Sequence, residues 1–428
     1  MDLEKGRRAV VDIEKPAAGG WMIARHEGQV ILTAGAIPGE RVLIEVTREA
    51  RGVLYARVRD VLLESSDRRG TAEDHACGGM VYGHIAYARQ VQLKGEIVAD
   101  AFARIARLRV PSPVAVVASP EQGYRMRARL HVSGARVGFY REGTHEICDP
   151  EGTGQLRPDT VAAIRVLERT LGEWTGPPVS GIELAENIPA TDRAVHLEMQ
   201  RAVDPSALEA FRQPGVTGLT FAASQDAEPR PAWGKEHVGD EIPVAGSPTS
   251  TSVRLERRAT AFFQANRYLF PRLLHRVAQL TGDGEVLDLY AGVGAFALAA
   301  AAMGRTPVTA VEGDPVSAED LRRNALPWPS VKVRQSSVER YLAGRPPGRG
   351  LTVIVDPPRT GMKHEALSMV LALVPARVVY VSCDVATLAR DAARIVNAGY
   401  ELSSLEGLDL FPNTAHVEAI AAFTRASA

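Results

Sequence analysis

The 428-residue sequence predicts an α/β protein. Its C-terminal part reads as a parallel sheet covered by helices on both faces, preceded by a small antiparallel β-barrel and an α+β central region. Three observations carry this. From about residue 255 strand-like and helix-like stretches alternate regularly, and the first sixty residues alternate apolar and polar positions between turn residues. Between these parts a helical pattern gives way to short strands. The boundaries drawn on this basis are 1–62, 63–252 and 253–428.

In the first region, Arg41-Val-Leu-Ile-Glu-Val-Thr47 and Val53-Leu-Tyr-Ala-Arg-Val-Arg59 have the period of strands, punctuated by Gly28, Gly35, Pro38-Gly39 and Gly52. A barrel of this kind can be a nucleic-acid platform, with Arg48, Arg51, Arg57 and Arg59 supplying charge. The same arginines equally suit a solvated face. The central region opens with a helical pattern from His84 to Leu108, stopped by Pro111-Ser-Pro113. A strand follows at Tyr124–Val132, where alternation puts Arg125, Arg127 and Arg129 on one face. With Arg136 and Arg141 they make the best local candidate for phosphate contacts, because no acid lies between Tyr124 and Arg141; a merely solvated edge strand is the alternative. Ile242-Pro-Val-Ala-Gly-Ser-Pro248 reads as a loop or domain joint. In the third region, strands are expected at Glu285–Tyr290, Pro307–Glu312, Val331–Gln335, Leu351–Val355 and Arg377–Ser382.

Composition narrows the function. Lys and Arg total 50 against 51 Asp and Glu, a net charge of −1, so a protein basic over its whole surface is excluded and a nucleic-acid site must be a local patch. Hydrophobic residues at 45% and charged residues at 24% exclude a mainly disordered chain. Cys77, Cys148 and Cys383 are too few and too scattered for a disulfide scaffold. The start of the chain lacks a secretory pattern, and no apolar run is long enough for a membrane helix. A cytoplasmic protein, off the membrane and monomeric, is expected.

Val286-Leu-Asp-Leu-Tyr-Ala-Gly-Val-Gly-Ala reads as a strand, a glycine loop and a helix start. Gly292 and Gly294 permit a tight turn and close approach of a ligand, and Glu312, ending the next strand, suits ribose hydroxyls. A nucleoside-bearing cofactor follows. Asp356-Pro-Pro-Arg359 ends the fourth strand and Cys383 the fifth, while His416-Val-Glu418, with two-residue spacing, puts His416 and Glu418 on one face of the last strand. A thiol and carboxylates thus converge at one rim. Singly, Cys383 would suit a buried core position and Glu418 the surface; together they suit a nucleophile and a base.

Phe262-Phe-Gln-Ala-Asn266, Asp288-Leu-Tyr-Ala-Gly-Val-Gly294, Glu312, Asp356-Pro-Pro-Arg-Thr-Gly361, Ser382-Cys-Asp384 and Phe411-Pro-Asn-Thr-Ala-His-Val-Glu418 together resemble the S-adenosylmethionine-dependent RNA 5-methyluridine methyltransferases. The resemblance implies a Rossmann-like class I methyltransferase domain, an OB-like TRAM barrel at the N-terminus, and methylation of uridine C5 in rRNA or tRNA. It implies S-adenosyl-L-methionine as cofactor and RNA as partner. It assigns Cys383 as nucleophile adding to C6 and Glu418 as proton acceptor, and puts Gln264, Tyr290, Gly292, Gly294, Glu312 and Asp356 at the cofactor and base pocket. Thiolate addition is what the chemistry needs, since uracil C5 alone is too weak a nucleophile. An environment favouring the thiolate is therefore expected.

Cys77-Gly-Gly-Met80, His84, Tyr87, Gln90 and Lys94 resemble the family's cluster-binding region, but only Cys77 and Cys148 stand at cluster positions and Met80 takes a third. No iron–sulfur cluster and no other metal site is expected. Asp384-Val385 replaces the family's commoner Asn-Pro, and a charge at Asp384 would raise the thiol's pKa. Ala295 and Ser337 stand where relatives often have asparagine. A 5-methylcytosine enzyme would want a cysteine after proline in the fourth-strand motif, which has none. An idle RNA-binding protein keeping the fold is the other alternative, against which Cys383 and Glu418 argue.

Overall fold

In the computed structural model, which describes residues 4–70, 77–224, 228–244, 251–348 and 350–426, the N-terminal alternation closes a barrel. Strands β1 (Arg8–Pro16), β2 (Met22–His26), β3 (Gln29–Ala34), β4 (Arg41–Ala50) and β5 (Val53–Leu63) run in the order β1-β2-β3-β5-β4, and β4 pairs back onto β1. Val11, Ile13, Ile31, Val42, Ile44 and Leu54 fill the interior. Their neighbours along β1 and β4 point outward, as period-2 backbone requires. The same apolar cluster runs on into Tyr82, Ile85 and Leu93, which bind the barrel to helix α1 (Tyr87–Ala101).

A π-helical turn extends α1 to Ala106, where left-handed Arg107 (φ 58°) ends it before the short strand β6 (Val116–Val117). Next come β7 (Arg127–Ser133), β8 (Arg136–Tyr140), β9 (Ile147–Cys148), α2 (Pro158–Glu173), β10 (Val179–Glu186), β11 (Arg193–Met199), β12 (Gly218–Ala222) and β13 (Arg230–Gly234). They form a seven-stranded sheet, β13-β12-β11-β10-β7-β8-β9, antiparallel except at β11–β12. Leu130, Ile182, Val195 and Leu197 bury one face against Ile164 and Leu167 of α2. The expected strand at Tyr124 starts only at Arg127, because Arg125 pairs with Asn266 instead of a neighbouring strand.

The hairpin β14 (His237–Pro243) and β15 (Ser252–Arg258) straddles the boundary drawn at 252. Of the expected joint, Ile242 and Pro243 end β14, Val244 is buried, and Ala245–Pro248 lie outside the described residues. Ile242, Val253 and Leu255 pack into the C-terminal core, so the hairpin serves that layer.

That layer comprises α3 (Phe270–Leu280), β16 (Val286–Leu289), α4 (Ala295–Ala302), β17 (Val308–Glu312), α5 (Pro315–Ala325), β18 (Val331–Gln335), α6 (Val338–Leu342), β19 (Thr352–Val355), α7 (His364–Ala372), β20 (Arg377–Ser382), α8 (Val385–Asn397), β21 (Tyr400–Leu408) and β22 (Glu418–Arg425). Eight strands lie in the order β18-β17-β16-β19-β20-β22-β21-β6. The first five are parallel, and β22 runs antiparallel to β20 and β21. Both faces are covered, by α3, α4 and α5 on one side and by α1, α7 and α8 on the other, which is why the central strands carry near-continuous apolar runs. Two pieces assigned by sequence to the central region thus belong here: α1 supplies Ile97, Val98 and Phe102 to this core, and β6 pairs in parallel with Gly407–Leu408 as an outer strand.

Candidate active site

The chain leaves β16 toward β17 on one side and returns to β19 on the other, so a crevice opens between them at the carboxyl ends of the strands. A cavity of about 570 Å³ occupies it, within the range of small-ligand sites. Gln264, Tyr290, Gly292, Glu312, Asp356, Cys383 and Glu418 all line it, and so does Arg127.

The loop after β16 is set by backbone conformation. Tyr290, Gly292 and Gly294 all have positive φ, at 61°, 54° and 98°. The two glycines differ in purpose. A Cβ on Gly292 would meet nothing within 4 Å, leaving backbone open to a ligand, whereas one on Gly294 would stand 2.4 Å from Leu321 Cδ1 of α5. Gly294 is therefore a packing glycine and does not line the cavity. Asp288, fully buried in β16, accepts from the Ala297 amide at 2.9 Å and fastens the first turn of α4. Glu312 is oriented by two amides, Gly292 N–H and Asp314 N–H, both at 2.7 Å. Its remaining lone pairs face the cavity, where vicinal hydroxyls of a nucleoside would meet them.

Asp356 follows β19, and its carboxylate accepts from Gln264 Nε2 at 3.3 Å. Burial lifts its pKa to about 7. Cys383 follows β20, and Glu418 opens β22. Because β22 runs antiparallel and pairs Ala419 with Ser382, its first residue arrives at the rim where β20 ends. Glu418 is buried, and burial together with the Asp356 carboxylate raises its pKa well above the carboxylate range. Burial first, then the Glu418 charge, pushes the Cys383 thiol up to about 11, while Arg359 opposes the rise. The expectation of a thiolate-favouring resting site is thus corrected: in the free protein the thiol keeps its proton. Asp384 is not the cause. It caps α8, its carboxylate accepting the Thr387 amide at 2.8 Å. Ser337 likewise caps α6 through the Arg340 amide at 3.3 Å.

His416 departs from expectation. It precedes β22, is exposed, and packs edge-on toward Phe411 with centroids 6.1 Å apart, since the β20 ladder begins only at Ala419 and a turn with left-handed Asn413 (φ 65°) comes first. The three central arginines also part company. Arg127 reaches the cavity and pairs with Glu183 at 2.7 Å; Arg129 pairs with Glu198 at 2.9 Å; Arg125 turns inward to Gln155 and the Arg127 carbonyl. The acids come from β10 and β11, which inspection of residues 124–141 alone does not reveal. Arg359, exposed at the cavity, is a further charged group there, legible only as part of its motif.

The orphaned central motif has a structural destination. Cys77 and Cys148 are joined by a disulfide, with Met80 buried beside them. His84 Nε2 lies 3.2 Å from the Ala36 carbonyl of the barrel. Gln90 and Lys94, on one face of α1, hold the segment 409–414 that precedes Glu418. Lys94 Nζ bonds Asp409 at 2.5 Å and the Phe411 carbonyl at 2.9 Å, with both charged side chains wholly buried. The Gln90 amide gives and receives hydrogen bonds with Asn413 at 2.9 Å. Asn266 binds the Leu410 carbonyl at 3.1 Å from the opposite side. Phe411 thereby reaches the cavity lining. Among the described residues no group of three or more His, Cys, Asp or Glu is placed to hold a metal ion, and no helix is long and apolar enough to cross a membrane.

Comparison with known proteins agrees with this architecture. A family model described as tRNA (Uracil-5-)-methyltransferase matches residues 349–425, and a TRAM domain model matches residues 2–58. The chain is 33% identical over 430 residues to the 23S rRNA (uracil(1939)-C(5))-methyltransferase RlmD of Alkalilimnicola ehrlichii, covering 94% of this chain and 93% of the relative. To the Pseudomonas entomophila protein of the same name it is 32% identical, covering 98% and 94%. The crystal structure of Pyrococcus abyssi tRNA (uracil-54, C5)-methyltransferase in complex with S-adenosyl-L-homocysteine superposes with a TM-score of 0.73 at 23% identity, covering 98% of this chain and all of that one, and so shares the fold.

Proposed function

Since the chain belongs to the S-adenosylmethionine-dependent RNA (uracil-C5)-methyltransferases, we propose that Cys383 and Glu418 carry its chemistry and that its substrate is an unpaired uridine of 23S rRNA. The rRNA choice rests on the Alkalilimnicola ehrlichii and Pseudomonas entomophila relatives, which match both lengths almost fully and are named for that RNA. The carrying observation is the meeting of a free thiol and a buried carboxyl at one cavity beside the nucleoside loop.

The residues fit the cofactor: Gly292 leaves backbone open, Glu312 offers oriented lone pairs, and Tyr290 and Phe296 give apolar walls. When bound, S-adenosylmethionine supplies an electrophilic methyl group and a positive charge. The target uridine must leave its stack, at a cost of about a few kcal/mol, which favours loops and single strands. Cys383 Sγ then bonds to C6, its proton passing to an acceptor in the cavity, and the ring becomes an enolate nucleophilic at C5. The donor, held by Tyr290, Gly292 and Glu312, would supply the methyl group that C5 takes up, its carbon–sulfur bond giving way as the new carbon–carbon bond forms. Glu418 takes the C5 proton, and the electron pair left behind expels the Cys383 thiolate and restores the 5,6 double bond. Gln264 and Asp356, hydrogen-bonded to each other, present an amide and a carboxyl for the uracil edge or the cofactor.

The test is incubation of the enzyme with labelled cofactor and transcripts of 23S rRNA segments or tRNA. Label at uridine C5 of the ribosomal transcript, abolished in Cys383→Ala, is the expected result; label surviving that substitution removes the nucleophile. Preference for tRNA would reassign the substrate alone. We further read the enzyme as a cytoplasmic monomer, because its substrate is made there and one chain carries every group of the site. A sedimentation coefficient above that of a 428-residue monomer would overturn the second part.

A further inference from the structure

We propose that the polar face of the seven-stranded sheet holds a second unpaired nucleobase of the substrate RNA, stacked on the ring pair of His131 and Tyr140, with Arg129 at the intervening phosphate. This rests on RNA being the methyl acceptor. Along β7, Ala128 and Leu130 enter the core, so Arg127, Arg129 and His131 face the other way. Arg127 lines the catalytic cavity. Four residues further, about 13 Å at strand rise, lies His131. Its partner across the ladder is Gly138, which carries no side chain, and Tyr140, two positions on, shares the face. The two rings stack at 3.5 Å between centroids with 7° between planes, and His145 meets Tyr140 edge-on at 5.2 Å and 78°.

Charge on this face is layered. Glu183 and Glu198 lie beneath the guanidiniums: the Arg129 side chain is 43% exposed and its partner Glu198 only 9%. The outermost charge is therefore cationic, as a phosphate requires. Burial, then Arg129, lowers the His131 pKa, so the imidazole is neutral at pH 7 and the pair offers flat, uncharged π surface. Nucleobases of any sequence stack on such rings. Neither His131 nor Tyr140 is needed for the sheet's apolar face, which Leu130, Val137 and Phe139 supply.

The experiment uses the full chain and a transcript of the 23S rRNA segment around the methylated uridine. Tyr140→Ala is expected to weaken transcript binding about tenfold by loss of stacking, and Tyr140→Trp to bind within about twofold of the parent, because the ring and not the hydroxyl acts. Unchanged S-adenosyl-L-homocysteine binding checks that both variants are folded. A 4-thiouridine walked along the transcript should crosslink to the β7–β8 hairpin at a position flanking the target, and lose that crosslink in Tyr140→Ala. Parental affinity in Tyr140→Ala with full methylation activity in the parent overturns this site while leaving the function standing. A parent that methylates no RNA overturns both.

Discussion

Which of the acidic groups at the rim holds a proton is decided by burial. With Asp356 lifted to about 7 and Glu418 raised further by that neighbour, the pair retains protons at acidities where exposed carboxyls are ionised. With Glu418 as the proposed base, which acts only once deprotonated, kcat/KM should fall as pH drops below its raised pKa. Replacing Asp356 by Asn removes a negative charge beside Glu418 and lowers its pKa. The acid limb of the pH–rate profile should then move to lower pH, even as the maximal rate declines; an unmoved limb would uncouple the two. The thiol reports from the other side. Cys383 is the single cysteine outside the disulfide, so its alkylation can be followed directly. In Glu418→Gln, loss of the neighbouring charge should shift the alkylation midpoint below about 11. The same variant should accumulate a covalent protein–RNA adduct on denaturing gels, since elimination lacks its base; rapid turnover without adduct would assign the proton to another group. Motif spacing made Cys383, Glu418 and Asp356 legible. It could not show the elevated thiol pKa or the cap at Asp384, because both depend on what other strands bring alongside.

At the scale of elements, the last strand is positioned by a helix more than 300 residues earlier in the chain. Lys94 and Asp409 are wholly buried, and Lys94→Met would leave the carboxylate without its cation, at a cost of about 3–5 kcal/mol. Urea unfolding should register that loss, and Lys94→Met with Asp409→Leu should recover most of it, since two apolar side chains need no partner. Persistent destabilisation in the double variant would mean that the pair holds the 409–414 turn by geometry as well as charge. The helical pattern read from His84 to Leu108 took in Gln90 and Lys94. Their partner segment was not legible, for a contact across the fold has no local signature. The parallel strands were read nearly to the residue because the central ones are short apolar runs between turn residues, while the outer β18 keeps a period-2 alternation. Strand β6 was missed: two valines after a proline-rich turn carry too little pattern.

For the molecule as a whole, a net charge near zero means that RNA attraction comes from a patch, and its salt dependence should be shallow. Arg129→Ala should lower the slope of log affinity against log salt by about one. An unchanged slope would assign Arg129 to its pairing with Glu198 alone. The arrangement of the chain into barrel, central sheet and catalytic layer was legible from changing periodicity, yet the lines between them were not, because α1, β6 and the β14–β15 hairpin are borrowed across them. That borrowing has a practical consequence. A fragment cut at residue 253 would bare the surface that Ile97, Val98 and Phe102 cover and free the outer hydrogen-bonding groups of β21. Such a half-enzyme should self-associate edge to edge into inclusion bodies, and co-expressing residues 1–252 as a separate polypeptide should return it to the supernatant.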